Sequence, residues 1–373
     1  MPEKVLAALK TAPSTTELRE LDLPDMPADA ALMKVEVAGV CGTDVSQYKL
    51  PLRAGPLIMG HENVGYLARV GSEFARHKGV REGDLMFLEH YLPCGHCEWD
   101  HIGEYRHCAA TEWFYDPKAI RYGYTSTDIP PSLWGGFSHY LYLPVNAVLH
   151  TVPAGLTPEE AGLATPMSNG IQWALLDGGV GFGSTVLIQG PGQQGLCCVM
   201  ASKLGGAHTI IVTGTSKDAR RLEVARALGA DVTIDIGRED ALTRVMEVTN
   251  GRGVDVVIDC TVGAGPEPTL LGIEATKRRG GTMVVQGEGN QKFPDFPIGR
   301  LTRKGMTLKS ARGHSYRSVE MALQLLASKR FPLDMITTHR FGLSEVDYAI
   351  KSVGGQGAHG AIHVSVMPWS AAP

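Results

Sequence analysis

The chain has no strong excess of charge of either sign, no apolar run of bilayer length, no internal repeat and no low-complexity tract. Its 35 Lys and Arg are nearly balanced by 39 Asp and Glu, for a net charge of −4, and no dense basic block occurs. That argues against a nucleic-acid or membrane-surface partner, both of which call for clustered positive charge. Nothing approaches the ~20 apolar residues of a membrane-spanning helix, and Met1-Pro2-Glu3-Lys4 leads into no signal-type apolar core. The expectation is a cytoplasmic enzyme with no membrane and no nucleic acid among its partners. Cysteine is sparse and odd in number: Cys41, Cys94, Cys97, Cys108, Cys197, Cys198 and Cys260. In a large chain without secretory features, metal ligation is the better reading of such residues than disulfides.

Glycine is what the chain has in excess, 45 of 373 residues against a usual ~7%. That fits many tight turns and a backbone that approaches ligands closely. The length suggests about two domains. Up to about residue 155 short apolar or alternating runs are broken by Gly and Pro, as in Ala31 to Val37 and Tyr140 to Leu143, the rhythm of an all-β, barrel-like domain. From about 160 strands alternate with helices. Thr185 to Gln189, Thr209 to Val212, Asp231 to Asp235, Val254 to Asp259 and Thr282 to Gln286 read as strands. Gln193 to Leu204 and Lys217 to Leu228 read as helices. This is the pattern of a doubly wound parallel sheet. After about 310 a helix at Val319 to Ser328 leads into a strand-rich tail ending near Val366.

Three motifs carry chemistry. Cys41-Gly42-Thr43-Asp44 is followed by Gly60-His61-Glu62, and a cysteine and a histidine brought together can hold zinc. Cys94-Gly95-His96-Cys97-Glu98-Trp99-Asp100, then Cys108, has metal-site spacing. Gly190-Pro191-Gly192-Gln193-Gln194-Gly195 is a GxGxxG turn between a strand and a helix, the context that suits a dinucleotide pyrophosphate. Gly190 permits the turn, Gly192 lets the backbone approach the ligand, and Gly195 allows close helix–strand packing. The amides of Gln193 and Gln194 stand at the positive end of the helix. A Lewis acid beside a hydride carrier is the equipment for interconverting an alcohol and a carbonyl compound.

In this order the motifs resemble the zinc-dependent medium-chain alcohol dehydrogenase family over nearly the whole chain. The resemblance implies an α/β protein with a Rossmann-type dinucleotide domain over 161–310. A split, mainly β, GroES-like catalytic domain would occupy 1–160 and 311–373. It implies Cys41 and His61 as catalytic zinc ligands, Glu62 as the acidic residue beside the metal or a ligand, and Thr43 as the hydroxyl that takes the alcohol proton. The next relay position is Ser46 rather than histidine, so the relay runs through water or the cofactor ribose. The family's third protein ligand falls at Thr165, a neutral hydroxyl. Glu62 completing the set, His139 or Asp44 substituting, and a zinc-free site are the three readings this leaves. In the second lobe Asp100 stands where the family's structural zinc has a third cysteine, giving Cys94, Cys97, Asp100 and Cys108, with His96, His101 and His107 as nearby alternatives.

The acid that binds ribose hydroxyls in NAD sites is expected where Gly214 stands. Thr215, Ser216, Lys217, Arg220 and Arg221 follow, groups that could hold a 2′-phosphate, and the reading leans to NADP over NAD, with Asp218 the acid that could reverse it. Between Thr111 and His139 the chain is rich in aromatics: Trp113, Phe114, Tyr115, Tyr122, Tyr124, Trp134 and Phe137. That segment either walls a cleft for a bulky alcohol or carbonyl substrate or packs against another subunit, the family forming homodimers or homotetramers. The rivals to a dehydrogenase are a zinc-free NADPH reductase of activated double bonds and a non-catalytic dinucleotide-binding protein.

Overall fold

In the computed structural model residues 3–112, 115–116, 118–286, 293 and 295–370 are described. Trp113 and Phe114 of the aromatic segment lie outside them. The chain divides into two compact units: Met1–Thr165 with Ser315–Lys329 and Thr337–Pro373, and Pro166–His314 with Arg330–Ile336.

The first unit is mainly β. Its strands are β1 (Lys4–Ala12), β2 (Thr15–Asp22), β3 (Ala31–Gly39), β4 (Leu57–Ile58), β5 (Glu62–Val70), β6 (Leu85–Leu88), β7 (Tyr140–Leu143) and β8 (Leu149–Thr151). β3 and β5 run antiparallel and pair Gly39 with Glu62. Their inward side chains, with Ile58, Phe74, Leu88, Tyr122, Trp134, Phe137 and Leu141, form one apolar core. Burial of this kind, at roughly 25 cal/mol per Å² of apolar surface, is what favours the folded β unit over the open chain. The helix Tyr316–Ala327 belongs to this unit; Ser315 caps it by accepting from the Ser318 amide.

The second unit is a parallel sheet of β9 (Thr185–Gln189), β10 (Thr209–Gly214), β11 (Val232–Asp235), β12 (Val256–Asp259), β13 (Thr282–Val285) and β14 (Thr307–Ser310). The spatial order is β11-β10-β9-β12-β13-β14, the doubly wound order in which the chain reverses direction beside β9. β9, β10 and β12 are short Val/Ile-rich runs buried on both faces, as such sheets require. The closing strands β15 (Thr337–Phe341) and β16 (His363–Val366) return to the first unit, where β16 pairs antiparallel with β3.

The helix expected from Lys217 starts later. Ser216–Asp218 is a tight 3-10 turn and the α-helix spans Ala219–Ala227. Asp218 causes this by turning back to accept from the Thr215 amide and hydroxyl at 3.0 and 2.7 Å, which fixes a cap in front of the helix.

Candidate functional site

Gly60-His61-Glu62 is placed by steric fit. Gly60 has φ +84°, and a Cβ there would lie 2.6 Å from the Phe137 ring. A Cβ on Gly39, opposite Glu62 across the β3–β5 ladder, would lie 2.6 Å from Glu62 Oε2. Glycine at 39 thus leaves room for a buried carboxylate against the β3–β5 ladder. On the other side, Cys41 is the N-cap of the helix Gly42–Lys49, and its amide donates to Asp44 Oδ2 at 2.9 Å.

Cys41, His61 and Glu62 therefore converge: one ligand atom from each lies within 4.8 Å of the others. Glu62 is fully buried, and neither of its oxygens has a hydrogen-bond partner. Burial is the chief cause that pushes its carboxyl up to about 7, reinforced by the Asp44 charge and opposed by His61 and Cys41. Burial also raises the Cys41 thiol. A buried thiol and an orphaned carboxylate side by side are poorly stabilised alone and fit a cation. Asp44, wholly buried, holds Oδ1 3.4 Å from His61 Nδ1, the carboxylate–histidine arrangement that fixes a ligating ring's orientation. Thr43 Oγ1 lies 3.7 Å from Cys41 Sγ. Ser46 is exposed and donates to the Gly42 carbonyl at 3.4 Å, apart from the cluster. Thr165 is buried near the start of the helix Ala164–Ile171. His139 stacks on Trp369 at 3.9 Å between ring centroids and joins no metal-type cluster among the described residues. Sequence reasoning named Tyr124 only as one of the aromatics between Thr111 and His139 and missed His90; each has its ring centroid 5.4 Å from that of His61, and neither sits in a motif.

A second group joins Cys94, Cys97, Asp100 and Cys108, again with ligand atoms within 4.8 Å of one another. Asp100 Oδ2 accepts from the Gly95 amide at 2.7 Å and from Cys94 Sγ at 3.1 Å. The Cys94 amide donates to Cys108 Sγ at 3.3 Å. Burial first, partly offset by backbone donors, pushes the Cys108 thiol up to about 12. Four would-be anions this close call for a countercharge, and N–H groups aimed at the Cys108 sulfur and the Asp100 carboxylate suit a closed four-ligand zinc site. Of the histidines nearby, His96 contacts the Cys94 carbonyl at 2.9 Å and His107 packs on Trp99. His101 is exposed, and none of the three joins the group.

In the second unit β9 runs into Gly190, φ +89°, and the helix Gln193–Leu204 starts from Gly192 with no side-chain cap. Its first amides are left for a ligand. A Cβ on Gly195 would lie 2.0 Å from the Gly190 carbonyl oxygen, whereas one on Gly192 would meet nothing within 4 Å. Gln193 is buried, and Gln194 Oε1 is buried without a partner. At the end of β10 a Cβ on Gly214 would lie 2.9 Å from Pro191 Cγ and 3.2 Å from Asp218 Cβ, so an acidic side chain has no room there. Asp218 is taken up by the Thr215 cap and by Arg221 at 3.2 Å. Asp235 is taken up by Ser216 Oγ, 2.9 Å from both its oxygens. Lys217 and Arg220 remain exposed.

Residues 27–154 match the alcohol dehydrogenase GroES-like domain and residues 195–328 the zinc-binding dehydrogenase domain. A protein of Mycobacterium tuberculosis named "probable alcohol dehydrogenase" is 36% identical over 204 residues, 54% of each chain. L-Threonine 3-dehydrogenase of Pyrococcus abyssi is 32% identical over 214 residues, 56% of each chain. These alignments span only about half the length of the curated relatives. The crystal structure of an alcohol dehydrogenase from Thermotoga maritima superposes with a TM-score of 0.84 at 25% identity, covering 98% of this chain and 100% of that one. No described helix is long and apolar enough to cross a membrane.

Proposed function

We infer the chemistry from membership: the chain belongs to the zinc-type medium-chain alcohol dehydrogenase family, and we assign it the interconversion of an alcohol and an aldehyde or ketone by hydride transfer to or from a nicotinamide dinucleotide. The convergence of Cys41, His61 and Glu62 in a buried group of ligand atoms carries this reading. Zinc bound there supplies a Lewis acid for the substrate oxygen. The rest falls to the chain's own side chains. Glu62 takes the ligand role that Thr165 lacks the charge to fill. Asp44 holds the His61 ring. Thr43, beside Cys41, accepts the proton of the alcohol and passes it on through water or the cofactor ribose, Ser46 standing apart from the cluster. The group at Cys94, Cys97, Asp100 and Cys108 takes a structural zinc with no position open to substrate.

NADP is the cofactor we assign over NAD. Gly214 leaves no acid at the strand end, Asp218 and Asp235 are held by protein donors, and Thr215, Ser216, Lys217 and Arg221 surround the place a 2′-phosphate would take. The cytoplasm suits reduced thiols at Cys41 and in the Cys94–Cys108 group, and a homodimer or homotetramer is the assembly the family implies.

Purified protein assayed with NADP and with NAD across primary and secondary alcohols tests the reading. Turnover is expected, faster with NADP, and lost both on chelation and in Cys41→Ala. Reduction of activated double bonds that survives chelation and the Cys41→Ala change, with no alcohol turned over, overturns it.

A further inference from the structure

The turn Arg121–Tyr124 lies directly on the catalytic motif. Gly123, φ +80°, packs so closely that a Cβ there would be 3.0 Å from His61 Cβ and 3.2 Å from the Gly60 carbonyl. The Tyr124 amide donates to the Arg121 carbonyl at 3.2 Å and closes the turn. The Thr125 hydroxyl pins it further, 2.9 Å from both the amide and the carbonyl of Arg121.

The Arg121 side chain is thereby held between two rings, with Cζ 5.0 Å from the centroid of Tyr91 and 4.5 Å from that of Tyr124. The Tyr91 ring lies tilted against His90, 3.9 Å between centroids, and both His90 and Tyr124 neighbour His61. One tyrosine ring separates the guanidinium from a candidate metal ligand.

Arg121 is held by charge more than by hydrogen bonds. Its side chain is only 15% exposed, and it forms an ion pair with buried Glu112, whose Oε2 stands 3.8 Å from NH1, beyond hydrogen-bond length. Nε is buried and has no hydrogen-bond partner. A guanidinium carries five N–H donors in a rigid fork. Stacking on tyrosine holds its plane and offsets part of the cost of burial, but satisfies none of those donors. A fork pre-oriented by rings, with Nε buried and unpartnered and only a long ion pair to Glu112, is matched by a planar, two-oxygen anion.

Resting on the dehydrogenase reading, we propose that Arg121 receives a carboxylate on the substrate, so that the enzyme acts on alcohols that also carry a carboxylic acid, separated from the carbinol by a spacer, in preference to neutral alcohols. Arg121 is a specificity residue here. It takes no part in proton or hydride transfer, so its removal should raise KM for the acid while kcat for a neutral alcohol persists.

The test pairs 4-(hydroxymethyl)benzoate and 6-hydroxyhexanoate with their neutral amides, in zinc-loaded wild type, Arg121→Met and Arg121→Lys, alongside calorimetric binding of benzoate. Expected is a kcat/KM advantage of about 10- to 100-fold for acid over amide, the range of a charged hydrogen-bonded pair. It should lie mostly in KM, collapse in Arg121→Met and recover in part in Arg121→Lys, with amide rates within about twofold throughout. Benzoate should bind the wild type and not Arg121→Met. Equal use of acid and amide by the wild type, or a preference and benzoate affinity retained in Arg121→Met, overturns the proposal. Benzoate binding that depends on Arg121 with no alcohol oxidised keeps the carboxylate site and overturns the dehydrogenase reading instead. If Arg121→Met fails to fold, the same comparison in Arg121→Lys decides: loss of bidentate pairing must lower the acid-to-amide ratio.

Discussion

Two alanine substitutions three residues apart in the same turn should fail in opposite ways. A Cβ at Gly195 would stand 2.0 Å from the Gly190 carbonyl oxygen, where ordinary contact begins at 3.4 Å. The helix start and the strand end must then separate by more than an ångström. Overpacking of that kind costs about 1–3 kcal/mol, which in a domain of this size lowers Tm by roughly 2–4 °C per kcal/mol. The same displacement moves the helix amides off the pyrophosphate, and a misplacement of about 1 Å can cost ~100-fold. Gly192 differs, with φ −71° and open space around its Cβ position. Gly192→Ala should leave Tm unchanged or raise it slightly, since a compatible Gly→Ala change stabilises by ~0.4–1 kcal/mol. Yet its methyl would occupy the clearance the dinucleotide needs, and NADPH affinity should fall by about 10-fold or more. Thermal unfolding and fluorescence titration with NADPH separate the cases. Wild-type affinity in Gly192→Ala, or an equal loss of Tm in both variants, would refute the reasoning.

Three further outcomes follow from other contacts. Asp100→Ala should reduce zinc by one per chain and lower Tm, with the zinc that depends on Cys41 retained; elemental analysis of dialysed protein checks it. His150 is buried between Glu320, at 2.5 Å, and Glu89, at 3.2 Å. Burial lowers its pKa, but the two glutamates outweigh that and hold it above the ordinary 6.5, while His150 in turn lowers that of Glu320. The stability a charged His150 contributes is thus full below its unfolded value and lost as pH rises through the folded one. The Tm gap between wild type and His150→Gln should be full below pH 6.5 and shrink as pH rises above it; a gap that grows with pH contradicts the pairing. Lys304 Nζ donates to the carbonyls of Ile273, Glu274 and Thr276 at 2.6–2.7 Å, closing the end of the helix Glu267–Ala275. Lys304→Met should cost about 1–2 kcal/mol in urea unfolding.

Much of this arrangement was legible in the chain because its determinants are local. The Val/Ile runs of β9, β10 and β12 announce buried parallel strands, and a glycine-flanked strand-to-helix turn announces the dinucleotide loop. What stayed hidden is built from distant residues. β14 (Thr307–Ser310) is exposed along its length and carries no apolar run to reveal it. Arg121 reads as one charge in an aromatic-rich stretch until Tyr91, thirty positions earlier, is folded against it. The vacancy at Gly214 depends on Pro191 from another loop, and the choice of Asp100 over three nearby histidines depends on the turn at Gly95. Composition and spacing register none of these contacts, which arise only when packing brings the partners together.

The central claim is that Cys41, His61 and Glu62 hold a catalytic zinc although Thr165 supplies no third charged ligand. Zinc per chain, measured by elemental analysis of dialysed wild type, Cys41→Ser and Glu62→Gln with alcohol turnover alongside, tests it most directly. The account predicts two zinc ions in the wild type and one in each variant, with turnover lost in both. An unchanged zinc count in Cys41→Ser would place all the metal in the Cys94–Cys108 lobe and contradict it.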